Sequence, residues 1–258
     1  MSKSIGIFDS GIGGTSIFKE IHTLLPNENF IYLADSKNAP YGNKTKEDIL
    51  QLSIKNTELL INEGCKLIVI ACNTATTNAI SYLRANYDIP FIGIEPAIKP
   101  AALNTQTKTI GILATKGTLS SHLFHKTTNL YASGIKVIEK VGEGIVPLIE
   151  NGKLDSNEMR TLLEIYLEPM LKQHIDFLVL GCTHYPYLIP MLTKMLPEHV
   201  KIIDSGLAVA KQTQAVLTSN QLLNTSNDKT SIKLYSNGNV DMLNSILDNQ
   251  FDTSYLDF

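Results

Sequence analysis

The residues best placed to do chemistry are two cysteines that sit in matching stretches of sequence. Lys66-Leu-Ile-Val-Ile-Ala-Cys72-Asn73-Thr74 runs an apolar strand into a cysteine and then into polar residues that open a helix. Asp176-Phe-Leu-Val-Leu-Gly-Cys182-Thr183-His184 repeats the pattern, with its cysteine 110 positions later. Ser4-Ile-Gly-Ile-Phe-Asp-Ser10 and Thr109-Ile-Gly-Ile-Leu-Ala-Thr115 form a second pair, offset by 105. Near-equal offsets point to a duplicated half. Halves related by a pseudo-two-fold axis would set Cys72 and Cys182 face to face across one cleft. Two thiols so placed can take a proton from one face of a carbon and return one to the other, without a cofactor.

Each cysteine has a bland alternative, because free cysteine is among the most buried residue types. A strand-to-helix turn argues the other way: backbone N–H groups and the helix dipole favour a thiolate there and can bring its pKa from ~8.5 to ~3.5–7.5. No C-x-x-C or clustered histidine supports a metal site. Cys65 begins its strand, at the wrong end for a site, and reads as core. His184, two residues after Cys182, is within reach to tune protons there.

Asp9-Ser10-Gly11-Ile12-Gly13-Gly14 invites a dinucleotide reading, with Asp35 lying 22 residues past Gly13. The spacing departs from G-x-G-x-x-G, however. The preferred reading is that Ser10 and the glycine amides bind a carboxylate while Asp9 positions a proton or an ammonium group. Pro40-Tyr41-Gly42-Asn43 is either a plain turn or a loop that closes over substrate with backbone donors. Glu95 and Glu150 are either solvated carboxylates or part of the site, and the residues alone leave both open.

The elements that must hold these residues alternate regularly. Short apolar strands are expected at 4–8, 29–34, 67–71, 91–94, 109–113, 136–140, 177–180, 201–203 and 232–235. Helices are expected to about Leu25, from a Thr45 cap to about Glu63, from Asn73 to about Asn86, from about Asp155 to Gln173, from Ser205 and from about Val240. A further helix falls between the strands at 109–113 and 136–140, and polar connections at 104–108 and 224–231. This pattern gives mainly parallel sheets covered by helices, an α/β fold. Sites in such sheets lie beyond the carboxyl ends of strands, where Asp9, Asp35, Cys72, Glu95 and Cys182 all fall.

Composition narrows the function classes. The 258 residues carry a net charge of −3 with no basic stripe, which argues against nucleic acid and membrane surfaces as partners. The only arginines are Arg84 and Arg160, and neither lies in a cysteine motif. An anionic substrate must then be held by backbone N–H groups, hydroxyls and amides. No signal-peptide pattern or membrane-length apolar run is present. Three widely spaced cysteines make no disulfide framework, so the expectation is a cytoplasmic protein with reduced thiols.

Taken together, Phe8-Asp-Ser-Gly-Ile-Gly-Gly14, Pro40-Tyr-Gly42, Ala71-Cys-Asn-Thr-Ala-Thr76 and Gly181-Cys-Thr-His-Tyr-Pro186 closely resemble the glutamate racemases. These belong to the cofactor-independent aspartate/glutamate racemase superfamily. Gly93-Ile-Glu-Pro96 and Val146–Glu150 extend the likeness over essentially the whole chain, and Cys-Thr-His-Tyr-Pro favours the glutamate enzymes over aspartate racemases and related decarboxylases. The resemblance implies two α/β domains, 1–97 with 206–258 packed back onto it and 98–205, with the cleft between them. It implies interconversion of L- and D-glutamate without cofactor or metal, D-glutamate serving bacterial cell-wall synthesis. It implies Cys72 and Cys182 as the acid/base thiols, Cys72 acting on the D-isomer, assisted by Asp9, His184 and Glu150. Substrate would be held by Asp9, Ser10, Tyr41, Gly42, Asn73, Thr74, Thr183 and His184. A homodimer is one candidate assembly. Ala97, where the family often has glycine, and Tyr187 depart from the pattern without touching the chemistry.

Overall fold

The computed structural model describes residues 3–226 and 229–258; Asn227 and Asp228, within the polar connection expected over 224–231, lie outside them, as do the first two residues. Its strands are β1 (Ile5–Asp9), β2 (Phe30–Ala34), β3 (Leu67–Ile70), β4 (Phe91–Gly93), β5 (Thr109–Ala114), β6 (Lys136–Val141), β7 (Phe177–Gly181), β8 (Lys201–Ile203), β9 (Ile232–Ser236) and β10 (Thr253–Tyr255). They form two sheets, ordered β10-β9-β2-β1-β3-β4 and β6-β5-β7-β8, with every pairing parallel. The four strands β2-β1-β3-β4 recur as β6-β5-β7-β8. The register recurs too: Ile5 pairs with Leu67, and Ile110, 105 residues on, pairs with Phe177, 110 residues on. The duplication read in the sequence is thus a duplication of sheet order and register.

Helices run as α1 (Thr15–Leu24), α2 (Lys46–Asn62), α3 (Asn73–Asn86), α4 (Ile98–Asn104), α5 (Lys116–Leu119), α6 (His122–Tyr131), α7 (Ile145–Glu150), α8 (Asn157–Leu171), α9 (Ile189–Met195), α10 (Gly206–Ser219) and α11 (Val240–Ile246). The central strands β1, β3, β5 and β7 are buried throughout, as strands covered on both faces must be, which is why they read as unbroken apolar runs. Thr45 caps α2 by accepting the Asp48 N–H (3.1 Å), and Gly64, at φ +75°, turns the chain out of it. One hydrophobic cluster crosses from Ile12 and Phe18 to Ile145, Ile149 and Leu180, so the two sheets close on each other.

The C-terminal segment returns to the first sheet. Helix α10 packs on α1, and β9 and β10 extend the sheet beyond β2. At the amino ends of the strands, buried Lys66 bonds Glu28 (2.6 Å) and the carbonyl of Leu222 (2.7 Å), while the Asn224 amide donates to Glu28 (2.8 Å). That buried pair fastens the returning segment at the end of the sheet opposite the cysteines.

Several expectations need correction. Two helices, α5 and α6, separate β5 from β6 where one was expected. Helix α8 starts two residues later than read, because Ser156, not Asp155, caps it. Helices α4, α7 and α9 and strand β10 lie outside the expected elements. The three helices are too short to show a periodic apolar face, and β10 is a three-residue edge strand of mostly polar residues. Among the described residues no helix is long and apolar enough to cross a membrane.

Candidate active site

The carboxyl ends of β1, β3 and β7 meet the loop after β2 at a narrow cleft. Ser10, Tyr41, Gly42, Cys72, Asn73, Thr74, Cys182, Thr183 and His184 line it, joined by Pro40, Thr115 and Val146. Both cysteines therefore share one cavity, which has room for about one water molecule in about 10 Å³. Substrate must part its walls. A wider groove between α8 and α9, lined by Arg160, Ile165, Glu168 and Lys194, opens elsewhere and contains none of the candidate site residues.

Cys72 is the N-cap of α3, and its Sγ accepts the Ala75 N–H at 3.4 Å, with Ser10 Oγ at 3.6 Å. The expected helix-terminus contact exists, yet its effect is outweighed. Burial pushes the Cys72 thiol well above its ordinary range, the neighbouring Asp9 adds to this, and the Ala75 and Ser10 contacts only reduce it. Cys182 departs from expectation in another way: no α-helix begins beside it. A turn closed by Tyr185 N–H to Cys182 O (3.1 Å) leads into a 3-10 segment at Tyr185–Leu188, and α9 starts only at Ile189. Pro186 and Pro190 lack the N–H groups that a helix starting at Thr183 would need. His184 replaces the helix dipole, its Nδ1 3.8 Å from Cys182 Sγ.

Behind the cleft wall stand the two carboxylates. Glu150 Oε1 lies 2.6 Å from His184 Nε2 and accepts the Ile12 amide at 2.7 Å. The Gly13 amide also points at Nε2, at 3.2 Å. The shorter contact to a carboxylate decides the proton: Nε2 donates to Glu150, and the Gly13 contact is secondary. Burial opposes a charge on His184, but its bonds to Cys182 and Glu150 prevail, and its pKa lies well above the usual histidine range. Asp9, fully buried, accepts from Thr183 Oγ1 (3.2 Å) and from the amides of Gly11 (3.1 Å) and Gly14 (3.0 Å).

The glycine loop therefore does not offer its amides to a ligand, contrary to the preferred sequence reading. Those of Gly11, Ile12 and Gly14 are engaged by Asp9 and Glu150. The glycines serve close approach instead, since a Cβ on Gly11 would overlap the Glu150 carboxylate and one on Gly13 the His184 ring. The same occupancy removes the dinucleotide alternative. Glu95 lies outside the cleft, accepting from Thr127 Oγ1 at 2.7 Å. Cys65 is buried at the far end of β3, its thiol pushed up to about 12 by burial.

Sequence reasoning missed a hydroxyl cluster at one end of the cleft. Thr74 Oγ1 meets Thr115 Oγ1 at 2.7 Å and Thr118 Oγ1 at 3.3 Å, and the last two lie 3.0 Å apart. The repeat offset of 105 sets Thr115 opposite Ser10, a signal that could have found it. Both side-chain polar atoms of Asn73, a residue 3% exposed, have no protein partner. An amide buried at a cleft wall with nothing to bond is costly unless a ligand completes it.

A model of Asp/Glu/hydantoin racemases matches residues 5–213. The chain belongs to that family. Among curated relatives, the glutamate racemase of Ectopseudomonas mendocina is 43% identical over 244 residues, 94% of this chain and 92% of its own length. Among solved structures, glutamate racemase isoform RacE1 from Bacillus anthracis superposes with a TM-score of 0.89 at 30% identity, covering 99% of this chain and 97% of that one. Escherichia coli glutamate racemase, solved with L-glutamate and the activator UDP-MurNAc-ala, gives 0.86 at 31% identity, covering 99% and 98%. Like these racemases, the chain has two parallel sheets covered by helices.

Burial pushes the Asp9 carboxyl up to about 6, against the pull of His184 and the Gly14 and Gly11 amides. An unfolded aspartate titrates near ~4, so between ~4 and ~6 the folded protein holds a proton that the unfolded chain releases. Stability due to Asp9 is thus full below ~4 and falls as pH rises to ~6, by about 3 kcal/mol at most. Urea unfolding from pH 4 to 7 is expected to show wild type losing stability against Asp9→Asn across that window. A constant difference would return Asp9 to the ordinary range.

Proposed function

We propose that the protein is a glutamate racemase that works by two-thiol proton transfer between L- and D-glutamate. The single observation that carries the reading is that Cys72 and Cys182, at the ends of equivalent strands in a duplicated fold, line the same cleft. Membership of the family and the relatives named above support glutamate as substrate.

In this mechanism one thiolate removes the α-proton, breaking the C–H bond and forming S–H, and the electron pair passes into the substrate carboxylate. The opposite thiol gives its proton to the other face of the same carbon and becomes the thiolate. His184 passes protons at Cys182 and is oriented by Glu150; Ser10 serves Cys72. Asp9, hydrogen-bonded to Thr183, orients that substrate-binding residue and balances the site's charge. Asn73, Ser10, Thr74, Thr183 and the backbone of Tyr41 and Gly42 hold the amino acid. The hydroxyls of Thr74, Thr115 and Thr118 supply donors for its side-chain carboxylate, a task that falls to hydroxyls because no arginine lies in the cleft. Preorganised donors in a closed, dry cavity stabilise the carbanion-like species without an electron-sink cofactor.

The remaining parts of the reading are a division into 1–97 with 206–258 and 98–205, and residence in the cytoplasm, where the buried thiols stay reduced. Proton NMR of L-glutamate with the enzyme in heavy water tests the function. Loss of the α-proton signal together with appearance of D-glutamate is expected. Binding without exchange would make the protein an amino-acid-binding module. A nucleotide cofactor that co-purifies would instead favour a redox enzyme.

A further inference from the structure

With the glycine loop occupied, Asp35 has no dinucleotide to pair with, and its actual surroundings give it another task. The side chain is 1% exposed and sits just past β2, with its amide bonded to the carbonyl of Asp9 (3.0 Å). Three neutral donors converge on the carboxylate: Tyr41 Oη on Oδ2 (2.5 Å), and Asn38 Nδ2 (2.8 Å) and Asn237 Nδ2 (2.6 Å) on Oδ1. Tyr41, also 1% exposed, in turn accepts from Asn56 Nδ2 of α2 at 3.2 Å.

The network joins three separate parts of the chain. Asn237, just after β9, also accepts the Lys37 amide (3.0 Å) and donates to the carbonyl of the last residue, Phe258 (3.0 Å). The loop carrying Tyr41 and Gly42 is thereby gripped from β2, from α2 and from the C-terminal segment. Its far side presses on the other half, where a Cβ on Gly42 would crowd Thr115. Tyr41 belongs to the same buried apolar cluster as Phe8, Leu33 and Cys72, and its hydroxyl is what bonds Asp35 and Asn56. Burial, then Asp35, holds that hydroxyl well above the usual tyrosine range, and it stays a donor.

We propose that Asp35 is a positioning residue for the racemase reaction, holding Tyr41 so that the Tyr41–Gly42 backbone stands at the correct distance to bind glutamate, with Asn237 linking this hold to the C-terminal segment. It rests on the reading given under Proposed function. Asp35 touches no substrate; it acts through Tyr41. A charge-assisted bond to a buried tyrosine restricts the loop more than a neutral one does, and a loop that binds ground state and transition state alike governs KM rather than kcat.

The test uses Asp35→Asn and Tyr41→Phe in the full chain, with Lys66→Met as a control that weakens the fold at the opposite end of the sheet. Asp35→Asn is expected to raise KM for both enantiomers about tenfold with kcat within about threefold. Lys66→Met is expected to lower the melting temperature without moving KM. The double variant Asp35→Asn/Tyr41→Phe should have the KM of the worse single variant, because both remove one interaction. Amide exchange should accelerate in residues 36–44 of Asp35→Asn and not in the body of α2. Unchanged KM and exchange, a fall in kcat alone, additive effects in the double variant, or a KM shift matched by Lys66→Met would each overturn the proposal. Exchange in 36–44 is read without turnover. A wild type that fails to exchange the α-proton of glutamate therefore refutes the racemase reading separately, while the exchange rate still reports whether Asp35 holds the loop.

Discussion

Replacing either Cys72 or Cys182 by alanine is expected to lower racemisation in both directions by at least about a thousandfold, measured by polarimetry on L- and on D-glutamate. Each direction needs one sulfur as base and the other as acid, so removing either stops both. Alanine leaves a small void rather than a new polar group, and the fold should persist. Far- and near-ultraviolet circular dichroism checks that point. Cys65→Ala is the internal comparison. Its sulfur is as buried as the other two, but it packs near Gly6 and Leu60 at the opposite end of the sheet, and activity should stay within about twofold of wild type. A Cys65 variant as dead as the others would mean that burial, not position at the strand end, marks the reactive thiols.

How much of this site was legible in the chain depends on the range of the interactions. The repeats Ser4–Ser10 with Thr109–Thr115 and Lys66–Thr74 with Asp176–His184 carry local information: four buried strands and the turns that leave them. The duplication, the parallel sheets and the two cysteines were readable from these; strand order and register were not, because they are set by pairing between strands far apart in the chain. Prolines 186 and 190 were equally local, and they disfavour a helix directly after Cys182. The engagement of the glycine loop was local only in part. Asp9 takes the Gly11 and Gly14 amides from within the motif, but Ile12 and Gly13 meet Glu150 and His184 from more than a hundred residues away, which nothing in Asp9–Gly14 alone reveals. Asp35 is divided in the same way: Asn38 and Tyr41 are near it in sequence, while Asn237 comes from the C-terminal segment. Strand β10 was invisible because its three residues add to an edge through backbone pairing and need no apolar pattern.

The two sulfurs have unlike surroundings, and this asymmetry allows a sharper experiment than loss of racemisation. Cys182 has the imidazole of His184 at 3.8 Å; Cys72 has a hydroxyl and a backbone amide. If each faces one side of the substrate α-carbon, each is the base for one enantiomer only. A glutamate analogue with a good leaving group on C3 isolates that role. Once the α-proton is removed, the electron pair forms a Cα–Cβ double bond and expels the leaving group as its anion, so one base suffices and no acid is needed on the far face. Cys72→Ser and Cys182→Ser should both lose racemisation by at least about a thousandfold, yet each should still eliminate from one enantiomer of the analogue. The enantiomers must be opposite. If Cys72 acts on the D-isomer, as the resemblance implies, Cys72→Ser keeps elimination from the L-analogue and Cys182→Ser from the D-analogue. Release of the leaving group from enantiopure analogues reads this directly. Two variants that prefer the same hand, or one that processes both hands equally, would mean that a single base reaches both faces of the carbon, and the two-thiol mechanism would have to be abandoned.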